Sequence, residues 1–321
     1  MADSQTLIYP ATDLTLAIQA LREGKLVAIP TETVYGLAAD ATNDQAIASI
    51  YALKKRPQFN PLIVHVDSIE RATTLAQWNK TAQRLAEVFW PGPLTFILPR
   101  RPSCAISPFV SAGLETLAIR MPSHPVAQRL IAGADCPLAA PSANPSEALS
   151  PTTAKHVWEA FKDNENCPLI IDGGSCVVGI ESTIIDLTTS PTVLRWGSVP
   201  PEELEKVIGS LATSEGAAPH QPKAPGQMHR HYAPHHRLRL NATSVYAQEA
   251  LLAFGPNPLK GACFTLNLSS SGNLVEATAN LFAMLHQLDQ IACQTIAVMP
   301  IPAMGLGLAI NDRLYRGSQE A

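Results

Sequence analysis

The sequence predicts an α/β protein with a larger domain over residues 1–208 and a smaller α/β domain over residues 237–321. Short apolar runs alternate with helical patterns from residue 25 to residue 208, which is typical of α/β domains. A stretch rich in glycine, serine and proline follows, and it predicts a linker over residues 209–236. A second alternation begins at residue 238. The 321 residues suffice for two domains, or for one large domain with an appendage.

Seven short apolar runs in the first part predict strands, because each is bounded by polar or turn-forming residues. They lie at residues 26–29, 62–66, 94–98, 117–119, 169–171, 183–187 and 193–195. The clearest helix signal covers residues 42–55. There Thr42 and Gln45 have the spacing of a capping box, and apolar residues recur at helical intervals.

The second part predicts three strands and two helices. The strands lie at residues 238–240, 262–266 and 295–300, and the helices at residues 246–254 and 277–290. Strands joined through helices usually pair in parallel, because the connection has to cross back over the sheet. We therefore expect a small parallel sheet with helices against it.

Composition and charge exclude several classes of protein. No apolar run approaches the roughly 20 residues needed to cross a bilayer, and residues 1–10 lack the order of a secretory signal, so we expect a cytosolic protein that does not contact membranes. The six cysteines are scattered singly, which supports neither a zinc site nor a disulfide framework. A net charge of −4 and a pI of about 6.1 exclude a surface that is basic throughout. Any anion site must be a local cluster.

Polar residues follow the first predicted strand, where α/β folds usually bind ligands. Residues 30–37 read Pro-Thr-Glu-Thr-Val-Tyr-Gly-Leu and gather hydroxyl groups with a carboxylate. The simpler interpretation is a polar turn in which Tyr35 anchors the core. The alternative is a ligand site.

Three cations, Lys54, Lys55 and Arg56, end the helix predicted over residues 42–55. A helix C-terminus attracts positive charge through its macrodipole, so the cluster can be purely structural. The alternative is a triphosphate clamp, because lysine supplies a point charge and arginine a planar fork for phosphate oxygens.

Other polar residues stand next to apolar runs and are weak signals individually. They are Arg120, Ser142, Asn144, Glu181, Ser182 and Arg195. The chain has no Walker-type phosphate loop, no complete dinucleotide-binding glycine motif and no Gly-x-Ser-x-Gly nucleophile elbow. If this sequence encodes an enzyme that uses ATP, the enzyme must hold the phosphates in another way.

Four of the nine histidines fall within residues 229–236, which read His-Arg-His-Tyr-Ala-Pro-His-His. No acidic residue or cysteine adjoins them, which argues against a metal site. We interpret this segment as a lid or as part of the linker, and we expect no metal ion held by protein ligands.

Taken together and in order, these stretches resemble the YrdC-domain family, in particular its long two-domain threonylcarbamoyl-AMP synthases. The resemblance covers essentially residues 10–208, through residues 30–37, 54–57, 60–61, 63–66, 90–95, 117–122, 141–144, 179–186 and 195–197. Residues 225–234 are similar to the linker of the long form, which folds back over the active site in that family. Residues 305–314 are similar to the signature that ends its C-terminal domain. The resemblance implies a YrdC-like twisted open sheet with flanking helices, and a Rossmann-like second domain.

The reaction of that family joins L-threonine, bicarbonate and ATP into threonylcarbamoyl-AMP and pyrophosphate, for N6-threonylcarbamoyladenosine modification of tRNA. The resemblance implies that threonine is bound by Thr33, His65, Arg120, Ala140 and Ser182. It implies that ATP is bound by Arg56, Asn60, Thr116, Ser142, Ser150, Arg195 and Tyr232. Lys54 and Arg56 are the expected catalytic residues, through their charge near the phosphates. Mg²⁺ is expected on phosphate and water, without a protein ligand.

The family also implies partners beyond the small-molecule substrates. These are a downstream tRNA threonylcarbamoyl-transferase complex and weak or indirect contact with tRNA. Two other functions stay open on the sequence. One is a noncatalytic module that binds double-stranded RNA or tRNA on a basic concave surface. The other is a carbamoyltransferase like the hydrogenase-maturation relatives that carry this domain, although those relatives add zinc-finger segments and this chain has no Cys-x-x-Cys pair.

Overall fold

The computed structural model describes residues 7–213 and 222–320. Its strands are β1 (Ile8–Pro10), β2 (Val27–Ile29), β3 (Gly36–Asp40), β4 (Ile63–His65), β5 (Leu94–Pro99), β6 (Thr116–Arg120), β7 (Leu138–Ala139), β8 (Leu169–Asp172), β9 (Thr183–Asp186), β10 (Thr192–Arg195), β11 (Ala212–Thr213), β12 (Arg237–Arg239), β13 (Glu249–Ala253), β14 (Phe264–Asn267) and β15 (Thr295–Val298). Its helices are α1 (Thr15–Arg22), α2 (Asp44–Lys54), α3 (Ile69–Leu75), α4 (Lys80–Phe89), α5 (Pro125–Ala134), α6 (Ala154–Phe161), α7 (Pro201–Ile208), α8 (Leu274–Leu288) and α9 (Leu306–Gly317).

These strands form two sheets. The first is mixed, with the order β1-β8-β2-β3-β7-β4-β6-β5-β9-β10-β11, and the second has the order β12-β15-β13-β14. Every pair in the second sheet is parallel, so the predicted α/β class and the predicted small parallel sheet are confirmed. The described helices include none that is long and apolar enough to cross a membrane.

Two sequence predictions fall partly outside the described residues. The interpretation of residues 1–10 as lacking a secretory signal includes residues 1–6, and the linker over residues 209–236 includes residues 214–221. Within that linker, β11 pairs in parallel with β10 and so extends the first sheet. The domain limits at residues 208 and 237 stay a prediction.

All seven strands predicted in the first part are confirmed to within one residue at each end, as β2, β4, β5, β6, β8, β9 and β10. The sequence missed β1, β3, β7 and β11. Strand β3 consists mainly of glycine and alanine, which have a low intrinsic preference for strands. It forms because β2 and β7 pair with it on its two sides.

The predicted capping box at the start of α2 is wrong. Asn43 is the N-cap, and its side chain accepts hydrogen bonds from the backbone N–H groups of Gln45 and Ala46. Thr42 instead donates its backbone N–H and its hydroxyl to the Asp40 carboxylate, both at 2.8 Å. Asn43 is among the preferred N-cap residues, and the Asp40 turn occupies Thr42.

The helix predicted over residues 246–254 is also wrong, because Glu249–Ala253 forms β13. This strand is buried along its whole length between β14 and β15. A short apolar run buried on both faces has no period that separates a strand from a buried helix. The other four predicted elements of the second part are confirmed, as β12, β14, α8 and β15.

One apolar core lies between the two sheets and reaches into the first part of the chain. Val34, Leu149 and Ile180 join the apolar side chains of α8 and α9 in this core. Gly179 has a φ of 75°, and a Cβ atom there would lie only 2.4 Å from the carbonyl oxygen of Ala279 in α8. The segment after β2 and the segment before β9 therefore pack against the second part of the chain.

Strand pairing brings polar residues to one edge of the first sheet. Strands β4 and β6 are parallel neighbours, with His65 opposite Arg120 at their carboxyl ends. Strand β2 ends at Ile29, directly before the segment that carries Thr33. Ser182 stands just before β9, which runs parallel to β5.

Candidate functional site

A cavity at this edge brings together nine of the thirteen predicted site residues. They are Thr33, Arg56, His65, Arg120, Ala140, Ser142, Ser182, Arg195 and Tyr232. A larger, more open groove lies at the amino ends of β1, β2 and β8, and it contains none of the predicted residues. We place the candidate site in the first cavity because that is where the cations and hydroxyl groups converge.

Arg56 enters the cavity because α2 ends sharply. Lys55 takes the left-handed conformation, with φ of 50°, and so reverses the backbone immediately before Arg56. The Arg56 guanidinium donates to the carbonyl oxygens of Asn60 at 3.1 Å and Pro61 at 2.8 Å. Its burial lowers the pKa of Arg56 to about 10, so the side chain remains a cation at neutral pH.

Arg195 reaches the cavity from the end of β10. Its guanidinium donates to the carbonyl oxygen of Ser182 at 2.8 Å and to the Ser182 hydroxyl at 3.1 Å. The Ser182 hydroxyl also lies 2.7 Å from the Thr95 hydroxyl on β5. Gly197 allows this close packing, since a Cβ atom there would lie 2.3 Å from the Thr183 nitrogen. The remaining guanidinium nitrogen of Arg195 donates to the carbonyl oxygen of Pro225 at 3.4 Å, so the arginine is fixed in the cavity lining.

Arg120 is fixed by a carboxylate that sequence reasoning did not assign to the site. Glu32 pairs with Arg120 at 2.6 Å and also accepts the backbone N–H of Ser123 at 3.2 Å. Arg120 donates as well to the Thr33 hydroxyl at 3.0 Å. Burial alone would raise the pKa of Glu32, but the charge and hydrogen bonds of Arg120 overcome it and hold that pKa below its ordinary value. The sequence signal that could have assigned Glu32 to the site is its position between Thr31 and Thr33.

His65 lies beside Arg120 and is neutral. Its Nδ1 is 3.2 Å from the carbonyl oxygen of Ile63, and the backbone of Leu138 is a second acceptor at the ring. Burial, reinforced by the Arg120 charge, lowers the pKa of His65 to about 3. The imidazole therefore contributes polar atoms to the cavity without adding charge.

Lys54 stands behind the cavity wall. Its ammonium group donates to the carbonyl oxygen of Ser142 at 2.6 Å and to that of Asn144. Burial and the neighbouring Arg56 charge lower the pKa of Lys54 well below its ordinary value. The lysine so ties the end of α2 to the segment that carries Ser142, which does line the cavity.

Three other predicted residues also lie outside the lining. Asn60 is buried next to Arg56, and its Oδ1 has no hydrogen-bond partner among the residues that the structure describes. Ser150 is buried and donates its hydroxyl to Glu181, which does line the cavity. Thr116 begins β6 and is four residues from Arg120, about 13 Å along the strand. Their roles stay predictions.

The segment after residue 222 closes one side of the cavity through Pro225, Gly226, His231 and Tyr232. Gly226 has a φ of 83°, and a Cβ atom there would lie 2.7 Å from the Tyr232 hydroxyl oxygen. His231 packs on Tyr232, with ring centroids 3.9 Å apart. Sequence reasoning named Tyr232 but missed His231, whose buried Nδ1 has no partner in the described part of the chain.

Two other histidines of residues 229–236 contact the second part of the chain. His235 and His236 both contact the carboxylate of Asp289 at the end of α8, through Nδ1 atoms at 2.7 and 3.1 Å. These contacts fasten the segment to the second part of the chain. The segment thus has one end in the cavity and the other on α8, and the lid interpretation stays a prediction.

A buried arginine of α9 connects the second sheet to the site. Arg313 pairs with Glu181 at 2.8 Å, donates to the carbonyl oxygen of Trp196 at 2.9 Å, and lies 4.7 Å from the centre of the Tyr232 ring. Burial would raise the pKa of Glu181, but Arg313 and Arg195 hold it below its ordinary value. Residues 305–314 matched a family signature, yet no pattern in the sequence indicated that Arg313 reaches the cavity wall.

Two protein-family models match the chain. The Sua5/YciO/YrdC model, described as telomere recombination, matches residues 19–197. The model of the threonylcarbamoyl-AMP synthase C-terminal domain matches residues 199–318. Between them they cover every described strand except β1.

Individual relatives agree along nearly the whole chain. The threonylcarbamoyl-AMP synthase of Pyrococcus abyssi is 41% identical over 322 aligned positions, which cover 95% of this chain and 94% of that protein. The Bacillus subtilis enzyme of the same name is 38% identical, covering 94% and 92%. The crystal structure of P. abyssi Sua5 complexed with L-threonine superimposes with a TM-score of 0.90 at 36% identity and covers 98% of each chain. This chain therefore belongs to the Sua5/YciO/YrdC family, in the two-domain form that carries the threonylcarbamoyl-AMP synthase C-terminal domain.

Proposed function

We propose that this chain makes L-threonylcarbamoyladenylate and pyrophosphate from L-threonine, bicarbonate and ATP, for N6-threonylcarbamoyladenosine modification of tRNA. The observation that carries the proposal is the convergence of Arg56, Arg120 and Arg195 with the hydroxyls of Thr33 and Ser182 on one buried cavity. The names of the relatives and the threonine complex of one of them support the same reaction.

The threonine subsite is proposed around Arg120. A guanidinium that is fixed by Glu32 and lines the cavity is a natural partner for the amino-acid carboxylate. The hydroxyl of Thr33 and the neutral ring of His65 supply hydrogen bonds for the hydroxyl and amine groups of the substrate. The proposed residues are Thr33, His65, Arg120, Ala140 and Ser182.

The ATP subsite is proposed around Arg56 and Arg195, which are buried cations of the same cavity. Lys54 adds positive charge from behind and is proposed with Arg56 as catalytic. The residues proposed to contact ATP are Arg56, Asn60, Thr116, Ser142, Ser150, Arg195 and Tyr232. The cations stabilise the negative charge that accumulates on the phosphates as pyrophosphate leaves.

The chemistry requires no nucleophile from the protein. Bicarbonate and the threonine amine form a carbamate and release water. A carbamate oxygen then attacks the α-phosphorus of ATP, the bond from that phosphorus to the bridging oxygen breaks, and pyrophosphate leaves. The rate gain comes from holding the two substrates in line and from fixed positive charge.

Mg²⁺ is proposed as the counterion of ATP. Among residues 7–213 and 222–320 there is no cluster of three or more His, Cys, Asp or Glu side chains suited to a metal ion. The lining holds three arginines and the hydroxyl groups of Thr33, Ser142, Ser182 and Tyr232, and its Glu181 is already paired with Arg313, so the residues fit an ion held by phosphate oxygens and water. When bound, the ion neutralises charge on the β- and γ-phosphates.

Mass spectrometry of the reaction products tests the function directly. The protein is incubated with ATP, threonine, ¹³C-bicarbonate and Mg²⁺, and we expect threonylcarbamoyl-AMP carrying one ¹³C, in step with pyrophosphate. Omission of threonine or bicarbonate should abolish the product. Turnover with carbamoyl phosphate in place of threonine, or strong salt-sensitive tRNA binding without any turnover, would contradict the proposal and favour a carbamoyltransferase or an RNA-binding module.

The product requires an acceptor, since the adenylate is a mixed anhydride that water hydrolyses. We propose a tRNA threonylcarbamoyl-transferase complex as the partner that consumes it, with weak or indirect contact between this chain and tRNA. The net charge of −4 supports this limited role for RNA contact.

The substitution Arg56→Ala should raise the KM for ATP or lower kcat by at least about tenfold, because a hydrogen bond to a charged group contributes roughly 1.5–3 kcal/mol. Steady-state kinetics with varied ATP measure the effect. Lys55→Gln is the matched control, since Lys55 is the adjacent cation and is exposed. Kinetics of Arg56→Ala close to those of the parent protein would rule out the proposed role of Arg56.

The substitution His65→Asn should reduce the dependence of stability on pH. The folded pKa of His65, about 3, is below its ordinary value of 6.5, so its contribution is complete above pH 6.5 and is lost as the pH falls toward 3. Between pH 7 and pH 5, the parent protein should lose about 2 kcal/mol more unfolding free energy than the variant. Urea unfolding at both pH values measures this difference. Equal losses would show that His65 is not buried as a neutral ring.

Tyr232 and its neighbours are proposed to form a lid that protects the adenylate from water. The support comes from α9, where Arg313 lies over the Tyr232 ring and Arg316 donates to the carbonyl oxygen of Met228. Gly317 lets the helix approach, because a Cβ atom there would lie 2.8 Å from the Tyr232 carbonyl oxygen. The lid is thus held in place by the second part of the chain.

The substitution Arg313→Met should lower kcat/KM by at least about tenfold and shorten the lifetime of the bound adenylate. It leaves Glu181 buried without its paired arginine, and breaking a buried ion pair costs about 3–5 kcal/mol. Quenched-flow synthesis and the decay of preformed adenylate measure the two effects. Arg237→Met is the control, since that arginine is largely exposed. An unchanged adenylate lifetime in Arg313→Met would contradict the lid.

A further inference from the structure

Two histidines stack where α6 meets α8, outside the lining of the cavity. His156 belongs to α6 and His286 to α8, and their ring centroids are 4.0 Å apart with 22° between the ring planes. No step of the proposed reaction uses either ring. The pair joins the two parts of the chain, so its contacts bear on how the second part affects the site.

Each ring is hydrogen-bonded to the same short segment of the first part. His286 Nε2 lies 3.1 Å from the carbonyl oxygen of Ser150 and must donate, because a carbonyl only accepts. His156 Nδ1 accepts the backbone N–H of Thr152 at 3.3 Å, so this nitrogen carries no proton. Residues 150–152 are therefore held at both ends by the histidine pair.

Both rings are neutral at pH 7, which allows them to stack without repulsion. Burial lowers the pKa of His156 to about 3, with His286 and Lys155 acting in the same direction. Burial also lowers the pKa of His286. The charge of Asp289 opposes this shift, and the charge of His235 adds to it. Neutral rings also match the donor and acceptor roles that the hydrogen bonds require.

The segment held by the pair leads into the cavity wall. The Ser150 hydroxyl donates to one oxygen of Glu181, and Arg313 of α9 binds the other oxygen. The Pro151 carbonyl oxygen accepts the backbone N–H of Tyr35 at 2.8 Å. A displacement of residues 150–152 would thus move Glu181, which lines the cavity.

We propose that His286 is a positioning residue for the nucleotide subsite, through which the second part of the chain fixes Ser150. It acts on the backbone of Ser150 and does not touch substrate. This inference rests on the proposed function, because Ser150 is assigned to ATP there. It gives the second part of the chain a contact with the site that is separate from the lid.

The test compares two substitutions that separate stacking from hydrogen bonding. His286→Phe keeps an aromatic ring against His156 but removes the donor, whereas His286→Gln keeps a donor near the position of Nε2. His286→Phe should raise the KM for ATP about three- to tenfold, with the KM for threonine unchanged, as expected for one lost neutral hydrogen bond. His286→Gln should restore the KM for ATP. Gln287→Ala, at the exposed neighbouring position of α8, is the control.

Two further readouts do not depend on turnover. In His286→Phe, the hydrogen-exchange rate of the Thr152 amide and the calorimetric dissociation constant for ATP should both increase. In His286→Gln, both should return to the values of the parent protein. If the parent protein made no adenylate, the proposed function would be wrong. Hydrogen exchange and ATP affinity would still test the positioning role of His286. Parent-like exchange and ATP affinity in His286→Phe would overturn the positioning role. Equal loss in both variants, with a lower Tm, would also overturn it as merely structural.

Discussion

The burial of positive charge around one cavity is the constraint on which the rest of the site depends. Arg56, Arg120 and Arg195 each expose no more than 8% of their surface. Such groups are costly to remove from water unless oxygen atoms replace the lost solvent. Backbone carbonyls fill most of this role, and the carboxylates of Glu32 and Glu181 are each already bound to an arginine. The remaining positive charge makes the cavity suited to a polyanion.

This constraint explains why the chain needs its turns where they occur. Carbonyl oxygens face a cation most readily where the backbone leaves a helix or a strand, because regular hydrogen-bond ladders already use most of the others. Lys55 ends α2 in the left-handed conformation, and the oxygens that contact Arg56 and Lys54 come from irregular segments. The motifs that stood out in the sequence are those segments.

The second sheet contributes to the site without supplying its lining. Arg313 of α9 and His286 of α8 approach from the same side and hold Glu181 and Ser150, which are themselves hydrogen-bonded to each other. An apolar core shared between the two parts keeps these polar contacts away from water. The contacts are therefore stronger than exposed pairs of the same kind.

The sequence by itself determined the order of most strands, the linker composition and the set of residue types at the site, because bounded apolar runs and short polar motifs are local properties of the chain. Packing decided the rest. Residues 249–253 form a strand because β14 and β15 enclose them. Lys54 meets a carbonyl 88 residues away and Arg313 a carboxylate 132 residues away. Such contacts depend on strand register and on how the two parts of the chain pack together. Neither property can be read from a local sequence pattern.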